Sequence, residues 1–279
     1  MKDAFERLID SALYTTEPLG PKPGTFCKEL RMYEGTMDRY CHRCDRLSTW
    51  AAYRTEASTN LLHKDVFGRE SDWSAELKLE MRCSRESSHR ANYYFEVFAD
   101  SPFDIRKPEA PKMFIVKVGQ HPSLADFQMG DVKEFKSALE AQERRELVQA
   151  INTAAHGFAV AACVYYRRVF EQLIDGARDA WAGESGITDL SEFNRLYTDD
   201  KIKTLGEKYL PPFLVEHPQL YSILSKGVHQ LSEQECAEAL PTIREAIEII
   251  LREKTAKVEA SKQRERAKLL LARTVDKHK

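Results

Sequence analysis

The sequence predicts an α+β protein: a small, mostly antiparallel sheet domain over residues 1–125, then an all-α up-and-down bundle over 126–279 ending in a long helix. Two observations carry this. Between about Tyr40 and Pro122 the apolar residues recur with period two; beyond Pro122 they recur with helical period almost to the C-terminus. A third observation, two Cys/His pairs inside the β-patterned stretch, gives that stretch a means of holding together.

At the N-terminus Phe5, Leu8, Ile9, Ala12 and Leu13 form one apolar helical stripe. The run Pro18-Leu19-Gly20-Pro21-Lys22-Pro23-Gly24 is expected to exclude helix. Trp50-Ala51-Ala52-Tyr53 reads as a strand, and Leu77, Leu79 and Met81 alternate with charged residues as a second. Tyr93–Phe98 and Met113–Val118 are the clearest strands. Residues 131–182 read as nearly continuous helix, with Gly157 inside it among small alanines that suggest close approach of a second helix. Shorter helices follow over 200–209, stopped by Pro211-Pro212, and over 218–226. Ser232 and Glu235 form a capping box that opens the last helix, expected to run to about residue 274.

Composition bounds the function. The chain is 31% charged with a formal net charge of −2, which predicts no general affinity for nucleic acid. The charge is uneven: Arg252–Lys279 holds ten Lys or Arg against four Asp or Glu. That basic end reads as a solvated helix end, an RNA- or DNA-contacting arm, or a helix that docks on a partner, and it lacks the aromatic residues that stack single strands. Asp3, Glu6 and Arg7 interrupt a secretory start, no apolar run is long enough to span a bilayer, and the cysteines do not read as a disulfide framework. The cytoplasm is the expected compartment.

Cys41-x-x-Cys44 and Cys83-x5-His89 are spaced as two metal knuckles. Zinc takes four thiolate or imidazole ligands in a tetrahedron, and two knuckles bridged by a sheet supply them. A Cys3His set fills the coordination sphere, so the ion is expected to be structural, and the sheet is expected to be too small to bury much core without it. His42 is a rival ligand within the knuckle and Cys27 a substitute for His89. Buried thiols beside a surface histidine are the plain alternative. No Gly-rich phosphate loop, Gly-x-Ser-x-Gly elbow or HExxH is present. Cys163 lies in an apolar run that raises a thiol's pKa, which argues against a nucleophile.

In the helical half, His156, Val160, Cys163, Arg167 and Glu171 share one face of the expected long helix, with Arg168 beside them. Arg167 or Arg168, Glu171 and His229 would meet if the last helix packs against it, either as a register-fixing pair with a satisfied histidine or as a pocket for something anionic.

Tyr165-Tyr166-Arg167-Arg168-Val169-Phe170-Glu171, followed by the Gly227-Val228-His229 turn and a capped helix, resembles a bacterial branch of the HEPN (higher eukaryotes and prokaryotes nucleotide-binding) superfamily. The Lys117–Ser123 segment and the Cys-x-x-Cys ribbon ahead of it resemble bacterial proteins of the same layout. The resemblance covers residues 40–255. It implies an up-and-down helical bundle, often dimeric, in a superfamily with many metal-independent ribonucleases of toxin, abortive-infection and phage-defence systems. Their signature has four to six residues between an Arg and a His. Here Leu224, Ile223 and Ser222 occupy the positions where Arg is required before His229, and Lys226 is the nearest cation. A lysine does not replace the bidentate guanidinium. The expectation is therefore a non-catalytic homodimer binding nucleic acid (RNA before DNA) or a partner protein in a stress or defence setting. The alternatives are a ribonuclease using His229 with Arg167, Arg168, Glu171 and Lys226, and a structural adaptor with no nucleic-acid role.

Overall fold

The computed structural model describes residues 2–53, 74–101 and 111–277. Part of the stretch between the two Cys/His pairs, residues 54–73, lies outside them. The chain forms two compact units, Met1–Gly130 with Ala155–Gly157, and Asp131–Ala154 with Phe158–Lys279.

The first unit is a six-stranded antiparallel sheet with helices on one face. Its elements are α1 (Lys2–Asp10), β1 (Thr16–Pro18), α2 (Pro23–Arg31), β2 (Thr36–Cys41), β3 (Arg46–Tyr53), β4 (Ser74–Cys83), β5 (Arg90–Ala99), β6 (Met113–His121) and most of α3 (Leu124–Glu134). The strand order is β1-β6-β5-β4-β3-β2. All four strands expected from alternation are present. The core is larger than expected: Leu8 and Ile9 of α1 and Leu30 of α2 are buried with Trp50, Tyr93 and Phe95 of the sheet. The expectation of a sheet too small to bury its own core is therefore wrong, because β2 and two helices add apolar faces that the alternation did not reveal.

The Pro/Gly run does not exclude helix as expected. α2 starts inside it at Pro23, since proline is tolerated in a first turn whose N–H groups need no intrahelical partner. α1 stops at Asp10, before the end of its apolar stripe. Lys117 of β6, fully buried, donates Nζ to the Ile9 carbonyl at 2.6 Å and to the Ser11 carbonyl, satisfying the end of that helix.

The helical unit comprises the 3-10 turn Phe135–Ser137, α4 (Ala141–Ala155), α5 (Ala159–Ser185), α6 (Ser191–Arg195), α7 (Thr198–Tyr209), α8 (Pro212–Glu216), α9 (Gln219–His229) and α10 (Glu233–Lys277). The expected continuous helix is broken. Gly157 sits between α4 and α5 at φ +81°, a left-handed conformation that ends one helix before the next begins. A Cβ there would also lie 3.3 Å from the Leu13 carbonyl. Gly157→Ala is expected to lower stability by about 1–2 kcal/mol, read from the urea midpoint.

α5 packs against α7, α9 and α10. The Gly227-x-His229 segment is not a turn: it is the last turn of α9. Gly227 is there for closeness, since a Cβ would lie 3.2 Å from Cys163 Cβ and 3.6 Å from Cys236 Sγ. The capping box at the start of α10 is present: Glu235 accepts the Ser232 N–H at 2.8 Å, and Ser232 Oγ accepts the Glu235 N–H at 3.3 Å. Ile243, Ile247, Ile250 and Leu251 bury the first half of α10, whereas every residue from Glu259 to Val275 is exposed. No helix among the described residues is long and apolar enough to cross a membrane.

Candidate metal centre

The register of the sheet brings the two knuckles together. β2 and β3 are joined by the turn holding Cys41 and Cys44, β4 and β5 by the turn holding Cys83 and His89, and β3 pairs with β4 between them. Both turns thus lie at the same end of the sheet. A hydrogen bond from Ser84 N–H to the Thr49 carbonyl, 2.8 Å, ties one hairpin to the other.

Within the first turn, Asp45 adopts the left-handed region at φ +56°, and its N–H closes on the Cys41 carbonyl at 2.8 Å. The Cys44 N–H points at Cys41 Sγ, 3.4 Å away. Backbone amides directed at a sulfur stabilise a thiolate and are common around bound metals. The Tyr40 hydroxyl bonds Asp45 and braces the turn from outside.

The four expected ligand atoms converge, all lying within 4.8 Å of one another. Cys44 Sγ is 3.8 Å from Cys83 Sγ, and His89 Nδ1 is 3.3 Å from Cys44 Sγ and 3.6 Å from Cys41 Sγ. A tetrahedron with metal–sulfur bonds near 2.3 Å and a metal–nitrogen bond near 2.0 Å has S···S edges of about 3.8 Å and S···N edges of about 3.5 Å. Three of the six spacings match those edges and none exceeds 4.8 Å, so the four residues could hold one metal ion. Among the described residues, neither His42 nor Cys27 joins this cluster. Cys27 is buried in α2, where loss of solvent raises its thiol pKa.

Cys44 and Cys83 sit in opposite electrostatic surroundings. Desolvation, then hydrogen bonds with Cys41 and Cys83, push the Cys44 thiol up to about 11. Desolvation also acts on Cys83, but Ser48 Oγ at 3.0 Å and the N–H groups of Arg85 and Glu86 outweigh it and bring its pKa below the ordinary value. Crowded thiols resist becoming three anions together unless a positive ion compensates them. Ser48 is the supporting residue the sequence reading missed. Its signal was a serine on the inward side of β3, where Trp50 faces the core.

The second group of expected site residues is divided. Arg167 Nε meets Glu171 at 2.9 Å, and the Tyr221 hydroxyl bridges them, 3.1 Å from the guanidinium and 3.0 Å from the carboxylate. Arg168 turns to Glu146 on α4, 3.5 Å away. Lys226 is exposed on α9. The backbone of His229 ends α9, and its side chain lies outside the described residues. His156 precedes the Gly157 break and so is not on α5 with Cys163 and Arg167. Cys163 is buried and desolvation pushes its thiol up to about 12, as its apolar run predicts for an unreactive cysteine.

No family model matches this chain, and neither the curated proteins nor the solved structures contain a significant match to it.

Proposed function

We propose that this chain is a non-catalytic RNA-binding protein whose β unit is stapled by a structural zinc ion. The zinc-ribbon-like reading rests on the donor set: three thiols and one imidazole suit zinc, fill a tetrahedron, and leave no position for a reacting water. The RNA reading is carried by the exposure of the basic end of α10. Over Glu259–Val275 every residue of the helix is exposed, Lys262, Arg264, Arg266, Lys268 and Arg273 among them. A rod of cations is suited to phosphate contact, in a chain whose remainder is acidic.

The engagement of Arg167 by Glu171 and Tyr221 favours the non-catalytic reading over the ribonuclease, because a guanidinium already holding a carboxylate is not free to clamp a phosphorane. The helical architecture, the homodimer and the defence setting implied by the HEPN resemblance belong to the same proposal.

Fluorescence anisotropy with labelled RNA tests it. Reversing Arg264, Arg266 and Lys268 to Glu is expected to weaken binding by at least about tenfold at physiological salt and to flatten the dependence of Kd on salt. Unchanged affinity in that variant removes α10 from the interface. RNA cleavage by the wild type that a His229→Ala variant lacks would establish the ribonuclease instead.

A further inference from the structure

The sheet of the first unit has one face covered by helices and one that carries exposed side chains, and the register identifies what the second face displays. Residues paired directly across strands share a face. One row runs Tyr53, Glu80, Asn92, His121 across β3, β4, β5 and β6; the next runs Lys78, Tyr94, Gly119. Toward the metal end the adjoining row holds Arg82 opposite Arg90.

Tyr53 and Tyr94 are 44% and 42% exposed on this face, unusual for tyrosines within strands of a sheet with its own core. Tyr94 lies over Gly119, whose missing side chain admits it: a Cβ there would sit 3.3 Å from the Tyr94 ring. The ring thus packs against the glycine while remaining 42% exposed. Lys78 Nζ is 5.8 Å from its centroid, and the Arg82 guanidinium lies 3.1 Å from that of Tyr53.

The charge on this face is net positive around the rings. Glu80 is only 3% exposed because Arg82, Lys78 and Arg90 surround it at 2.9, 3.8 and 3.9 Å, so one carboxylate is outnumbered by three cations. Beyond Tyr94 the paired Glu76 and Glu96 reverse the sign, which leaves the path toward the metal end, with exposed Arg43, Arg46 and Arg85 on its turns, as the cationic one. In the Tyr53 row, Asn92 Oδ1 is shielded from solvent and accepts no hydrogen bond among the described residues.

We infer that this face binds single-stranded nucleic acid, with unpaired bases stacking on Tyr94 and Tyr53 and the phosphates following Arg90 and the exposed Arg43, Arg46 and Arg85 toward the metal end. Stacking platforms flanked by cations recognise unpaired bases, which a duplex keeps inside its own stack. The inference rests on the RNA-binding reading and adds to it the substrate class, because α10 offers phosphate contacts but no aromatic ring.

The test compares the metal-loaded full chain with its Tyr94→Leu, Tyr53→Leu and Tyr94→Phe variants. The probes are a labelled single-stranded RNA of about twelve nucleotides and its blunt duplex. Leucine keeps apolar cover over Gly119 without a π face, so folding is preserved. Each leucine variant is expected to weaken single-strand binding about tenfold and to leave duplex binding within about twofold, with Tyr94→Phe close to wild type. Ultraviolet crosslinking of a thiouridine-substituted single strand to the wild type is expected to mark the β5 peptide, which tests the site without any substitution. Wild-type single-strand affinity in Tyr94→Leu, or crosslinks confined to α10, would overturn this inference and leave binding through α10 standing. Loss of a dimer in Tyr94→Leu would assign the face to a second copy and also overturn it. Failure of the wild type to bind either RNA would overturn both readings together.

Discussion

Cys44→Ser is expected to abolish stoichiometric zinc and to lower Tm by on the order of 10 °C. Structural zinc sites contribute apparent binding free energies of roughly 10–16 kcal/mol in small peptides whose fold depends wholly on the metal. Here an ion held by the four residues would join the Cys41–Cys44 turn to the Cys83–His89 turn, at one end of a sheet that already buries Trp50, Tyr93 and Phe95. A variant that keeps the core and loses the staple therefore loses part of its stability and not its fold. About 3 kcal/mol lost from a domain of this size corresponds to that shift in Tm. Chelation of the wild type should reproduce it, and acidification should too, since protons compete with the metal for His89 and the three thiolates. Scanning calorimetry beside metal analysis checks the prediction, and full metal content with unchanged Tm in Cys44→Ser would count against the site.

The second large effect belongs to Lys117 of β6. It is fully buried, and desolvation brings its pKa down to about 8, with Asp10 acting weakly in the opposite sense. Above pH 8 the folded lysine is neutral, whereas the unfolded one holds its proton to about pH 10.5. In that window the unfolded state binds more protons, so stability rises with pH. A shift of this size corresponds to about 3 kcal/mol at 1.36 kcal/mol per unit. The neutral amine retains two N–H donors, enough for the carbonyls of Ile9 and Ser11. Urea denaturation of wild type and Lys117→Met at pH 7.5 and pH 10 isolates this group. The wild type is expected to gain about 2 kcal/mol relative to the variant across that interval. A constant difference at the two pH values would mean that Lys117 folds with its proton in place.

The features legible in the sequence were those with a short period or a fixed spacing. Leu77, Leu79 and Met81 alternate cleanly because β4 has helices on only one face, and the two Cys/His pairs were visible because the hairpin turns that carry them are short. What escaped has physical reasons too. α2 hid within a Pro/Gly run because proline breaks a helix interior but suits a helix start. β1 is three residues long, and β2 mixes Asp38 and Arg39 with Met37 and Cys41, so neither shows a period. The break at Gly157 is concealed because alanines with high helix propensity stand close on both sides, Ala154 and Ala155 before it and Ala159, Ala161 and Ala162 after it, while Gly157 itself takes a positive φ. Gly227-x-His229 read as a turn because glycine is a turn signal, whereas this glycine admits Cys163 of a neighbouring helix. The tyrosine face could not be read at all: Tyr53 and Tyr94 lie far apart in sequence, and only the register sets them in neighbouring rows.

The proposed zinc site would let one ion tie two hairpins of the first unit together, and X-ray absorption on the purified wild-type protein addresses this most directly. The expected spectrum is that of one zinc per chain with three sulfur neighbours near 2.3 Å and one nitrogen near 2.0 Å. Metal-free protein that folds with the same Tm, or a shell made of oxygen donors, would contradict it.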